Sequence, residues 1–83
     1  MVMEVAEKIE VGAIFRRGHV KPVWFIWKSR RHSVKDVTYE WHEKRGENFF
    51  HFFQLVAEEG IYKVSLDSRS LAWNLEKVYD DVA

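Results

Sequence analysis

Apolar residues recur along this chain at every second position. Ile9, Val11, Ala13 and Phe15 hold alternate positions, Val23, Phe25 and Trp27 do so in a segment whose residues nearly all favour strands, and Val37, Tyr39 and Trp41 resume the pattern. A period of two is the signature of a strand with one buried face, whereas an amphipathic helix repeats every 3.6 residues. The interruptions have their own chemistry. Arg17-Gly18-His19 reads as a turn, and a second tight turn runs from Lys28 to Arg31. Pro22 stands at the start of a strand, where a missing N–H is tolerated. After Val34 the next apolar residue is Val37, three positions on, so a bulge is expected near Lys35-Asp36. A helix is expected only near the N-terminus, from Val2 to Lys8.

The later turns predict a register. Gly46-Glu47 suits a two-residue hairpin loop with Gly first, the type II′ preference. That loop pairs Trp41 with Phe52, Tyr39 with Gln54 and Val37 with Val56. Glu58-Glu59-Gly60 suits a three-residue loop with Gly in the left-handed position, which pairs Phe52 with Leu66, Gln54 with Val64 and Val56 with Tyr62. Ser68-Arg69 closes the last hairpin and pairs Leu66 with Leu71, Val64 with Trp73 and Tyr62 with Leu75. Together the three turns predict one core row of Trp41, Phe52, Leu66 and Leu71. A slip of one residue would turn a strand's side chains to the opposite face. About six short strands with short connections predict an all-β fold. The expected form is a small antiparallel meander closing into a partial barrel of the SH3-like or OB-like kind, since closure hides strand edges.

Composition narrows the class. A chain of 83 residues is expected to form one domain, spanning 1–83. Domains near this size bury only about 60% of their unfolded surface. Four Trp, three Tyr and six Phe offset that limit, because each ring removes a large area from water. The absence of cysteine excludes disulfides, thiolate metal sites and thiol catalysis. Glu4, Glu7 and Lys8 follow the opening Met1-Val2-Met3 at once, so no signal peptide is expected. The longest apolar stretch, Val23 to Trp27, is too short to span a bilayer. A cytoplasmic protein with no membrane partner is the expectation.

The order of these elements carries a resemblance. A Gly-containing turn leads to Pro22-Val23-Trp24-Phe25-Ile26-Trp27-Lys28-Ser29-Arg30 and Val34, then to Trp41 and Phe49-Phe50-His51-Phe52-Phe53. The pattern closes with Tyr62-Lys63-Val64 and Trp73-Asn74-Leu75-Glu76-Lys77-Val78-Tyr79-Asp80. This resembles a family of small bacterial β domains of unknown function, with a Phe-x-Trp-basic strand and a Trp-x-Leu-x-x-Val-Tyr-Asp ending. Some members resemble modules found near or fused to proteins of the error-prone DNA polymerase type. The resemblance implies a shared fold and no catalytic residues. His32 departs from it, since an aromatic, often Tyr, is expected there facing Trp27.

Candidate chemistry begins with charge. From Val11 to Lys35 lie Arg16, Arg17, Lys21, Lys28, Arg30, Arg31 and Lys35 without one acid, although the whole chain is neutral. Cations interleaved with aromatic rings suit phosphates and bases, or an acidic protein. Arg16, Arg17, Lys28, Arg30, Arg31 and Lys35 are therefore candidates for binding single-stranded DNA or RNA, with Trp24 as the stacking ring. The hairpin from Lys28 to Lys35 is the expected centre. Against this stand the neutral net charge and the simpler role of cations as solvated turn and strand residues. The rival is a homodimer or protein-docking surface on the apolar outer face, built from Trp24, Ile26, Phe53, Leu55 and Ile61, with Phe49 at its end. The predicted register also sets His42 against His51 and His51 against Asp67 on that face. A flat row makes a poor ligand set, so a cross-strand hydrogen-bonded pair is expected and no metal or other cofactor. Nothing points to catalysis: Ser65, Ser68 and Ser70 meet no predicted base, and Asp67, Asp80 and Asp81 read as turn or terminal residues.

Overall fold

The structure is a computed structural model, and it describes residues 2–79. Met1, Asp80 and Asp81 lie outside the described residues. Six strands follow one another in sequence: β1 (Val2–Arg16), β2 (His19–Trp27), β3 (Arg30–Arg45), β4 (Asn48–Ala57), β5 (Gly60–Asp67) and β6 (Trp73–Tyr79). Each pairs antiparallel with the next, and β6 returns to β1 to close a barrel. The expected all-β meander is what forms. Among the described residues no helix is long and apolar enough to cross a membrane.

The helix expected near the N-terminus is not there. Val2, Met3 and Glu4 pair with Tyr79, Val78 and Lys77, and Glu4 lies 3.3 Å from the Lys77 ammonium. A bulge follows between Glu4 and Glu7, with Ala6 at φ 54°. The extra residue breaks the alternation locally, so the segment offers no strand period to read.

β1 and β3 are long because each serves two sheets. Residues 2–9 of β1 pair with β6 and residues 10–16 with β2. Residues 30–33 of β3 pair with β2, and the remainder of the strand with β4. Two bulges on β3, one between Val34 and Asp36 and one between Val37 and Tyr39, bend it away from β2. The first is the bulge expected near Lys35-Asp36. The core lies between the two sheets and gathers Phe25, Phe53, Leu55, Ala57, Tyr62, Val64, Leu66, Leu75 and Val78.

The register is partly as expected. Gly46-Glu47 forms the two-residue loop, with φ 63° at Gly46, and Trp41 faces Phe52 while Tyr39 faces Gln54. Val37 faces Leu55 instead of Val56, because the second bulge intervenes. The next turn corrects the prediction more deeply. Gly60 does not lie in the loop but, at φ 157°, pairs with Ala57 as the first residue of β5, leaving only Glu58-Glu59 in the loop. Phe53 therefore faces Val64 and Leu55 faces Tyr62. That one-residue slip inverts β4: Phe53, Leu55 and Ala57 go to the core and Phe52 to the outer face.

The last loop is also longer than two residues. Asp67 Oδ1 accepts the backbone N–H of Arg69 at 2.9 Å, and the Asp67 carbonyl accepts that of Leu71 at 2.8 Å. This side-chain-to-backbone turn is a standard use of Asp. It takes in residues 68–72, so Leu66 pairs with Trp73, Val64 with Leu75 and Tyr62 with Val78. Of the expected core row Phe52 and Leu66 are buried, but only Leu66 joins the main cluster; Trp41 is half-buried and Leu71 is 66% exposed in the loop.

Candidate nucleic-acid interface

The outer face of the three-stranded sheet is set by its register. Glu10, Ile26 and Arg31 form one row, and Gly12, Trp24 and Ser33 the next. Ile14 pairs with Lys21, and Arg16 with His19. The alternate residues Val11, Phe25 and His32 turn inward, and the latter two are buried. A shift between Gly12 and Ala13 leaves Val23 as an extra residue in β2. Without it Lys21 and Trp24, three positions apart, would point to opposite faces; the bulge brings both outward. Arg16, Lys21, Arg31 and Trp24 thus share one surface. Glu10 is the single acid among the described residues paired on it. Ile14, Arg16, His19 and Lys21 line a depression of about 320 Å³ there.

Trp24 is held on two sides. Its indole fills the space in front of Gly12, where an added Cβ would come within 2.1 Å of Cε2. The Arg31 guanidinium carbon lies over the ring, 4.8 Å from its centroid. Trp24 is half-buried and Arg31 exposed.

The remaining basic candidates disperse. Arg17 occupies the β1–β2 turn at φ 50°. Lys28 lies in the β2–β3 turn, at the opposite end of the barrel, with its ammonium 4.9 Å from the Trp27 ring centroid. Arg30 approaches Glu59 at 3.8 Å. Lys35 is the extra residue of the first β3 bulge. With Lys21, Val20, Val23, Val34 and Val37 it lines a groove of about 410 Å³, where β2 and β3 part beyond the Trp24–Ser33 pair. The expected hairpin cluster from Lys28 to Lys35 therefore contributes Arg31 alone to the shared face. Lys21 and Gly12 are the residues the sequence reasoning did not single out as part of the site. The proline beside Val23 was the available signal for the bulge that positions Lys21.

The apolar outer face changes composition. Phe53 and Leu55 are 2% and 0% exposed within the core, so they cannot anchor a docking surface. Their expected exposure followed from the misplaced loop at Gly60. Trp24, Ile26 and Ile61 are half-buried, and Phe49 is 53% exposed.

The histidines form a different group from the expected row. His42 does face His51, with ring centroids 4.5 Å apart and planes at 82°. His51 faces Leu66, however, and Asp67 faces Phe50, so the carboxylate leaves the row. The Asp67 carboxyl is instead held below its ordinary range, chiefly by the Arg69 backbone N–H. His51 shares a strand face with Phe53, toward the barrel interior. His19 Nε2 lies 3.6 Å from Glu40, and His19, Glu40, His42 and His51 line one cleft of about 120 Å³. Burial pushes the His51 imidazole below its ordinary value of 6.5, His42 adds to that effect and Glu40 opposes it. Among the described residues no group of three or more His, Asp or Glu is placed to hold a metal ion.

His32 has a structural explanation. It is buried and stacks on Phe25 at 4.8 Å, not on Trp27, and its Nδ1 lies 2.9 Å from Glu59 Oε1. That hydrogen bond is the main reason the Glu59 carboxyl lies below its ordinary range. The chain matches no family model, no curated protein and no solved structure.

Proposed function

We propose that this chain is a small β-barrel binding module that holds nucleic acid across the outer face of its three-stranded sheet. The observation that carries the reading is the convergence of Arg16, Lys21, Arg31 and Trp24 on one face, with Glu10 as its single described acid. A neutral total charge does not oppose this, since the local potential of a face governs what it attracts. Acids concentrate elsewhere, as at Glu58-Glu59 in the β4–β5 turn. No observation favours a homodimer once Phe53 and Leu55 are inside the core.

The test is the salt dependence of binding to a labelled single strand. About three phosphate contacts predict a log–log slope near −2, since each contributes about −0.7 for single strands. Replacing Arg16 and Lys21 together by Ala should weaken binding and flatten the slope toward about −0.7. No binding by the native chain at about 50 mM salt, where such contacts are strongest, would remove the reading.

A further inference from the structure

We propose that an unpaired base stacks on the Arg31 guanidinium rather than on the Trp24 indole, with Gly12 and Trp24 acting as positioning residues beneath it. This rests on the nucleic-acid reading above and names what that face selects: single strands, through their bases.

The indole is already engaged. On the sheet side it occupies the volume that any side chain at position 12 would need, with Cε2, Nε1 and Cζ2 between 2.1 and 2.6 Å from a Cβ built on Gly12. Over the ring lies Arg31, whose guanidinium carbon is 4.8 Å from the centroid. Trp24 is half-buried while Arg31 is exposed, so a group arriving from solvent meets the guanidinium first. A guanidinium is flat and delocalised, and it stacks on aromatic faces on either side; an ammonium does not. Bases splayed from single strands stack on Arg planes as they do on aromatic rings. In a duplex those faces are covered by neighbouring base pairs.

The arrangement also fixes Arg31. An arginine free in solvent loses side-chain freedom when it binds, and one resting on a ring has lost part of that freedom beforehand. Gly12 supplies the flat ground that lets the indole lie low enough to serve. Ser33, small and next to Trp24 in the same row, leaves the approach open.

The experiment compares two fluorescent probes of equal length, oligothymidylate and an abasic deoxyribose-phosphate strand, which carries the same phosphates without bases. The native chain should prefer oligothymidylate by at least about fivefold, the lower end for one stacked base. Arg31→Lys keeps the charge but not the plane, and should bind both probes alike. Gly12→Ala should abolish the preference by displacing the indole; its fold is checked by near-ultraviolet circular dichroism, and Arg31→Lys carries the test if it misfolds. An Arg31→Lys chain that keeps the full preference would overturn the proposal. Equal binding of both probes by the native chain would do so too, and so would a preference lost in Trp24→Leu but kept in Arg31→Lys. If the native chain binds neither probe, the failure belongs to the nucleic-acid reading itself.

Discussion

Single residues here are governed by what covers them more than by the face they occupy. Phe52 sits on the outer side of β4 yet is fully buried. Trp41 stacks on it at 5.4 Å, and Arg45 and Lys63 each place their charge 5.0 Å from its ring centroid. Long cationic side chains can roof an aromatic while keeping their heads in water. A count of apolar residues on an outer face therefore overstates its stickiness. His51 gives a prediction at this scale. Its folded pKa lies below 6.5, so the unfolded chain binds the extra proton in the window between the two values. Stability contributed there is present above 6.5 and is lost as pH falls through that window. Urea midpoints compared between about pH 7 and pH 5 should fall more for the native chain than for His51→Gln. Equal slopes would mean that the imidazole is not held neutral.

Among the elements, the turns decided how much of the fold was legible. Gly46 and Gly60 both take the expected positive φ, at 63° and 157°, but only Gly46 lies in its loop, while Gly60 joins the ladder. The Gly46 turn let the pairings of Trp41 with Phe52 and His42 with His51 be read directly. At Gly60 the flanking residues cannot show whether Gly joins the loop or the ladder, because both are local options for it. The choice is made by the fit of β4 and β5 side chains to the core, which is non-local. One wrong choice then carried Phe52, Phe53, Leu55 and Asp67 to the wrong faces together. The β2–β3 turn is the element with evident strain. Lys28 and Ser29 have φ of 53° and 63°, the two positive values that favour Asn-Gly in a type I′ loop. Ser29→Gly should stabilise the protein by about 0.5–1 kcal/mol, the left-handed penalty less the entropy of a glycine. Chemical denaturation measures it, and a destabilised variant would show that the serine has a role beyond its backbone.

For the molecule as a whole, alternation of strand direction does what the linear sequence hides. Consecutive turns of a meander fall at opposite ends, so Arg17 and Lys28 are far apart although one strand separates them. The basic run looked like a single feature because it is contiguous in sequence. The structure keeps Arg16, Lys21 and Arg31 together through a bulge at Val23 that no period could display. The barrel is also unevenly sewn. β2 and β3 share pairs only from Trp24–Ser33 to Trp27–Arg30, whereas β3 and β4 pair from Val34–Ala57 to Arg45–Asn48. Local opening is easiest where backbone bonds are fewest and most exposed. Amides of residues 19–23 that point into the groove should exchange with solvent fastest among the strands, and those of β5 slowest. Uniform protection around the ring would contradict this.

The pairing of Val2 with Tyr79 places a condition on how the chain reaches its native state. The first half of β1 has only β6 to pair with, and β6 is the last strand in sequence. Hairpins along the meander can form early from neighbours, but the ring cannot close until nearly the entire polypeptide has collapsed around Phe25 and Leu55. Such long-range closure costs loop entropy before it returns any contact, which is a reason β-rich domains fold slowly. Until that moment β6 and the opening residues of β1 remain edges exposed to other chains. The interval before closure is when this protein is most open to misassembly.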